Sequence, residues 1–230
     1  MTIPHSPVPL LFDSIPIARD ASHPFSLEVP EHQTIAVLGD EDSGIGLLGG
    51  YALGLERPES GRALVFGTLV ASLPEPERLA FRRRVGYLPA GDGLLQNLSL
   101  RDNVALPLRF GSAGTPRDIE GRVNVMLTAV RLTAAAALRP AQANDEERRR
   151  AALARAVAFD PALLILEQPF DGLTARVASE LVELARGGES AEGARRTIFI
   201  TGQEIPPLIL RQLDQVYRLT RAGMLEPETV

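Results

Sequence analysis

Phe25, Leu27 and Val29 alternate with polar positions, and Thr34 to Leu38 closes up into a compact apolar run. Residues 25–38 therefore read as paired strands. A glycine-containing loop, Gly39 to Gly44, follows, and an apolar, Gly-rich segment to about Leu55 reads as a helix. Strand, loop and helix in that order suit a phosphate-binding unit. Beyond the turn at Ser60–Gly61 the pattern predicts a strand over Ala63–Phe66, a charged helix over Pro76–Arg84 and a short strand over Val85–Leu88. Ser99 to Leu108 begins as a capped helix. Val123, Met126, Leu127 and Val130 fall at helical spacing, and Asn144 to Ala158 is a helix with acids in its first turn and arginines after, the order the helix dipole favours. Leu163–Leu166, Thr197–Thr201 and Val216–Leu219 read as strands, and Val177, Leu181 and Leu184 stripe a helix between the first two.

Strands alternating with helices indicate an α/β fold with a largely parallel sheet. The stretch 90–158 is helix only, which suggests an inserted helical lobe. The division that follows is one domain over 1–230, with a core of about 1–89 and 159–230. No internal repeat interrupts it.

Composition narrows the function. The chain has 230 residues and a net charge of −5, which argues against broad nucleic-acid binding. It has no cysteine, so disulfides and thiolate chemistry are excluded. Its basic residues are all arginine, and its three histidines are His5, His23 and His32. No chemistry that requires lysine can occur in this chain. Met1 to Phe12 has no signal-peptide pattern, and no apolar stretch reaches the roughly 20 residues that span a bilayer. The longest, Ala156 to Leu166, is broken by Asp160 and Pro161.

Five blocks, in order, resemble the ATP-binding-cassette (ABC) transporter ATPases: Gly39–Gly46, "ERPESGRALVFG" (Glu56–Gly67), "VGYLPAGDGLLQNLSLRDNVALPL" (Val85–Leu108), "LRPAQANDEERRRAALARAVAFDPALLILEQPFDGLT" (Leu138–Thr174) and "RRTIFITGQE" (Arg195–Glu204). The resemblance implies a P-loop NTPase-like three-layer core with a small antiparallel sheet and a helical lobe. It also implies a membrane permease as partner, a second, competent ATPase subunit as a further candidate, and a cytoplasmic position on the inner face of the cell membrane.

The family's chemistry is missing at each block. The phosphate loop G-x-x-x-x-G-K-[ST] cradles phosphates with backbone amides, a lysine and a magnesium-binding hydroxyl. Here it reads Gly39, Asp40, Glu41, Asp42, Ser43, Gly44, Ile45, Gly46. Ile45 takes the place of the lysine, Gly46 that of the hydroxyl, and three acids join the cradle. Like charges about 4 Å apart repel by roughly 4 kcal/mol at an effective dielectric near 20. Ala90 stands at the Q-loop glutamine. The signature becomes Ala143, Asn144, Asp145, Glu146 and Glu147, acids that suit the start of their own helix. Glu167 takes the place of the magnesium-holding aspartate and, with one extra methylene, can still hold magnesium or its waters; Gln168 takes that of the glutamate that activates water, and a neutral amide is no general base. Thr174 stands at the D-loop aspartate and Gly202 at the switch histidine.

The expectation is a transporter subunit of the ATP-binding type that has lost hydrolysis, with no catalytic residue, no metal site, and ATP and Mg only where the vestigial loop still binds them. Gly91, Asp92, Leu94, Leu95 and Leu98 are its expected permease contacts. Arg82–Arg84 and Arg148–Arg150 read as solvated helix faces. Two other readings stay open: an atypical active ATPase completed by a partner subunit, and a soluble scaffold or regulator with no transporter.

Overall fold

The computed structural model describes residues 8–17, 22–111, 114–187 and 195–228; Met1–Pro7, in the stretch read for a signal peptide, lies outside them, as does the side chain of Glu41. The chain opens with β1 (Leu10–Ile15), β2 (Phe25–Val29) and β3 (Thr34–Leu38), followed by the short α1 (Leu48–Ala52), β4 (Arg62–Val65), α2 (Glu75–Arg82) and β5 (Val85–Leu88). Three helices come next, α3 (Leu100–Phe110), α4 (Pro116–Ala129) and α5 (Asp145–Ala156). The chain then returns through β6 (Leu163–Glu167), α6 (Ala175–Arg186), β7 (Thr197–Gly202), α7 (Pro207–Leu210), β8 (Gln215–Leu219) and β9 (Leu225–Pro227).

Two sheets form. The larger has the order β5-β6-β7-β3-β8-β9 and is parallel except for β9; the smaller is antiparallel, β2-β1-β4. The sequence reading of 25–38 as paired strands is corrected: β2 pairs with β1 in the small sheet, whereas β3 pairs with β7 and β8 in the large one. Strand β1 itself is absent from that reading.

The apolar runs of the central strands follow from burial on both faces. Ile35 and Val37 face one core with the small sheet and α1, while Ala36 and Leu38 face a second core with α3, α5 and α6. β6 divides the same way, Leu163 and Ile165 against Leu164 and Leu166. Phe12 joins the layers: its ring lies 5.5 Å from Phe25 in the small sheet and 5.4 Å from Phe199 in the large one. This is the three-layer α/β architecture expected, with α3, α4 and α5 packed together between β5 and β6 in sequence.

Arg149 and Arg150 are not a solvated face; they are 7% and 4% exposed. Arg150 donates to Glu146 at 2.9 Å and to Glu180 of α6 at 2.7 Å, so paired acids make its burial tolerable. Arg148, half-buried, donates to Ala143 O and pairs with Asp145. Arg83 and Arg84 are exposed, as read, and stack on Phe159 and Phe66. No helix among the described residues is long and apolar enough to cross a membrane.

Candidate functional site

Parallel register sets Leu38 beside Gly202 and Glu167 beside Thr201. Just past these ends, Gly39 N–H donates to Gly202 O at 3.0 Å and Gln168 N–H donates to Thr201 O at 2.7 Å. Positions 39, 167–168 and 201–202, far apart in sequence, therefore meet at the carboxyl ends of adjacent strands, where open α/β sheets bind ligands. A cavity of about 190 Å³ opens there, lined by Gly39, Asp40, Ile45, Gly46, Ala90, Glu167, Gln168, Thr201 and Gln203.

The loop above the cavity keeps its turn and loses its charge pattern. Residues 41–43 make one 3₁₀ turn, and Gly44 reverses the chain at φ 81°. A Cβ on Gly44 would stand 2.0 Å from Ile17 O, so the position demands glycine twice over. Ser43 is buried and its hydroxyl donates to Asp40 O at 2.6 Å. Ile45, 6% exposed, sinks into the core beside Leu48 instead of presenting a charge. A Cβ on Gly46 would touch nothing within 4 Å. Of the three loop acids, the expectation that all crowd the cradle is corrected: Asp40 lines the cavity, whereas Asp42 is exposed and not among the lining residues. Asp40 also takes a partner that sequence reasoning missed. Arg221, in the turn after β8, holds Asp40 Oδ2 at 3.2 Å on the exposed rim.

Glu167 is the buried wall of the site. It is 8% exposed; its Oε2 accepts from Tyr87 O–H at 2.8 Å and from Ala90 N–H at 3.3 Å. Its Oε1 is buried with no hydrogen-bond partner among the described residues. Burial pushes the Glu167 carboxyl above its ordinary range, and the Tyr87 and Ala90 hydrogen bonds pull it part of the way back. Burial, then the neighbouring Glu167 charge, raise the Tyr87 phenol in turn. The room comes from α1: a Cβ on Gly49 would lie 2.2 Å from Glu167 Oε1. Gln168 adopts φ 46°. Gly202 is buried, with its nearest neighbours to an added Cβ at 3.7 and 4.0 Å.

Outside the cavity lining, the positions read as signature and D-loop serve as helix caps. Asn144 accepts from Glu147 N–H at 2.8 Å while Glu147 accepts from Asn144 N–H at 3.0 Å, a complete capping box on α5. Asp145 and Glu146 pair with Arg148 and Arg150 on the same helix, and Ala143 is buried. Thr174 caps α6 through Val177 N–H.

The expected permease contacts divide. Leu94 is 6% exposed and packs in the core, so it presents no docking surface. Asp92 is buried as well: its carboxylate accepts from Leu94 N–H at 2.8 Å and pairs with Arg148 Nε at 3.3 Å. Gly91 and Leu95 are exposed and Leu98 is half-buried. Arg155 donates to Asp92 O and Gly93 O, which fixes this loop against α5. The fold adds a groove of about 740 Å³ that the sequence did not reveal, lined by Leu79, Arg83, Tyr87 and Phe110 among others.

A magnesium–triphosphate group does not fit the residues present. The cavity wall carries two carboxylates, Asp40 and Glu167, and no basic side chain. No group of three or more His, Asp or Glu comes together as a metal site among the described residues. Gln168 has no proton-accepting base to offer, and no side chain is present at Gly202.

Comparison with known proteins places this chain in a family. Residues 22–171 match the family model described as ABC transporter. The chain is 35% identical over 193 residues to the sulfate/thiosulfate import ATP-binding protein CysA 1 of Agrobacterium fabrum, covering 83% of this chain and 53% of that protein. It is 30% identical over 201 residues to the lipoprotein-releasing system ATP-binding protein LolD of Chromohalobacter salexigens, covering 87% and 83%. The chain thus spans about half the length of the CysA relatives it matches. Among solved structures, the dimeric MJ0796, a bacterial ABC transporter cassette, superposes with a TM-score of 0.83 at 19% identity, over 96% of this chain and 98% of that one. The cbiO1 of Clostridium perfringens, part of the ABC transporter complex cbiONQ, superposes at 0.73 with 19% identity, over 95% and 86%. By family model, by sequence relatives and by fold, the chain belongs to the ABC transporter family and corresponds to that family's ATP-binding domain.

Proposed function

We propose that the chain is an ATP-binding-type subunit of an ABC transporter that has lost ATP hydrolysis and acts as a structural or regulatory subunit docked on a membrane permease. One observation carries the reading: the cavity at the strand ends is walled by Asp40 and Glu167, while Ile45, at the cation position, is buried in the core. A triphosphate entering it meets like charge and no basic side chain in the lining, Arg221 on the rim being paired with Asp40, and each close pair of like charges costs about 4 kcal/mol. The helix caps at Asn144 and Thr174 support the same reading, because these positions now serve their own helices.

The domain is single, with the core and lobe boundaries expected above. A membrane permease as partner and a cytoplasmic position on the inner face of the membrane belong to this reading, supported by relatives named for import and lipoprotein release and by cbiO1's place in an ABC transporter complex. Exposed Leu95 and the groove with Phe110 and Leu79 offer apolar surface for docking. A second, competent ATPase subunit would supply hydrolysis to the assembled complex.

Calorimetric titration with MgATP and a phosphate-release assay on the purified chain test the reading. Neither binding below about 1 mM nor turnover is expected. A micromolar dissociation constant would overturn the claim about the loop, and turnover the claim about hydrolysis.

A further inference from the structure

We propose that the groove lined by α2, α3, β5 and the end of α5 binds a long-chain carboxylate, a single apolar chain ending in one acid group. The groove has a volume of about 740 Å³, within the range of small-molecule sites, against about 190 Å³ for the cavity at the strand ends. Its lining is mostly apolar. Leu79 of α2 and Phe110 of α3 are 55% and 83% exposed, whereas Val85 of β5 is 8% exposed. Leu106 and Phe159 extend this wall. Large apolar side chains left open to solvent along one groove mark a binding surface.

Charge selects the other end of the ligand. The chain carries 29 acids against 24 arginines, yet the groove lining has three arginines, Arg82, Arg83 and Arg155, and no acid. Arg155 already donates to Asp92 O and Gly93 O. Arg82 donates its Nε to Leu53 O and Arg83 stacks on Phe159; neither meets a carboxylate among the described residues. Burial, then the like charge of Arg78, lower the pKa of Arg82, and an anion beside it opposes both effects. Tyr87 O–H is already donated to Glu167, so Arg82 and Arg83 are the side-chain donors open to a ligand here. A carboxylate accepts the paired N–H groups of a guanidinium, and a cation finds no acid in the lining. One carboxylate on one apolar tail therefore matches both parts of the groove.

A permease segment docked in the same groove would compete with this ligand. The inference does not rest on that docking, because the chain is titrated alone. The full chain, labelled with ¹⁵N, receives octanoate, decanoate and dodecanoate at about pH 7.5, where the carboxylate is charged, at constant ionic strength and below micelle formation. Acetate supplies the charge without the tail, and decyltrimethylammonium the tail without the negative charge. Amide shifts at Val85, Gly111 and Ala156 are the readout, and those at Gly39 and Gly46 report any change outside the groove. Saturating groove shifts are expected with decanoate, with a dissociation constant on the order of 1 mM. Each two added methylenes are expected to tighten binding about tenfold. Acetate and decyltrimethylammonium are expected to give no saturating shifts. Arg83→Glu, at an exposed position, is expected to weaken decanoate binding at least ~fivefold. Phe110→Ser, which removes an exposed apolar wall and leaves the core untouched, is also expected to weaken it. Absence of saturation with decanoate and dodecanoate, no dependence on chain length, an equal response to decyltrimethylammonium, or undiminished binding in Arg83→Glu overturns the proposal. An acidic amphipathic helical peptide that shifts the groove amides where the carboxylates do not would assign the groove to a docking helix and overturn it as well.

Discussion

Replacing Glu167 by glutamine is expected to stabilise this protein at neutral pH, although it removes a carboxylate at the heart of the site. In the wild type, Oε2 is satisfied by Tyr87 and Ala90, while Oε1 is buried with no donor. Glutamine can keep an acceptor oxygen toward Tyr87 and Ala90 and place its NH₂ where Oε1 stood. A buried charged group without a partner then becomes a buried neutral one. An unsatisfied neutral group costs about 1–3 kcal/mol and a charged one more, so a net gain of about 1–2 kcal/mol follows. For a chain of this size that raises Tm by roughly 2–8 °C. The gain depends on pH in a fixed sense. Folded Glu167 holds its proton more tightly than the unfolded chain does, because burial raises its pKa. Between the ordinary glutamate value and the raised folded value, the folded state binds more protons, and wild-type stability falls as pH rises. Below that window both forms of Glu167 are protonated and the advantage of glutamine shrinks; above it the full gain is present. Urea titrations of both proteins from about pH 4 to pH 8 measure this. A variant less stable than wild type at pH 7.5, or a difference that does not change with pH, would show that the Glu167 charge is compensated in a way the argument omits.

Other consequences are local. Gly44→Ala places a Cβ against Ile17 O at positive φ and is expected to lower the unfolding free energy by more than about 2 kcal/mol, read from the urea midpoint. Asn144→Ala removes the capping acceptor of α5 and is expected to cost about 1 kcal/mol in the same assay. Gln168→Glu alone is expected to give no steady phosphate release, since a base acts only on a substrate already positioned.

The convergence of the strand-end residues was legible because Gly39 follows β3 while Glu167 and Gly202 end β6 and β7, strands whose apolar runs show in the sequence. Once β3, β6 and β7 are adjacent and parallel, Gly39, Glu167 and Gly202 must meet. Strand β1 was hidden by Pro7 and Pro9 just before it and by Asp13 and Ser14 within it, Ser14 adopting φ 55° at an irregularity in the pairing. β2 and β3 looked like partners because four residues separate them, yet nothing local says that they enter different sheets. Burial of Arg150 depends on Glu180, thirty residues away in another helix. The Arg221–Asp40 pair joins positions 181 residues apart, and an arginine in a polar turn carries no signal of its target.

On the proposed reading, charge is what separates this loop from a working cradle, and two substitutions isolate it. The turn is intact: Gly44 holds its left-handed conformation, and Gly39 is tied to Gly202. A hydroxyl at Gly46 meets open space, so Gly46→Ser introduces it without a clash. Ile45→Lys is harder. It removes a side chain that is 6% exposed from the core, worth about 1.5–3 kcal/mol, of which the lysine stem retains part by lying along the same apolar wall. Its ammonium can then reach the cavity and offset Glu167 and Asp40, which face no cation from the lining residues now. The double variant Ile45→Lys, Gly46→Ser is therefore expected to bind MgATP measurably by calorimetry where the wild type is expected not to. It is expected to hydrolyse none of it, because Gln168 supplies no base and Asn144–Glu147 still serve α5. A folded double variant with no MgATP binding would mean that the loop backbone, and not its charge, rejects the nucleotide. Phosphate release from it would mean that Gln168 and the altered signature had never been limiting.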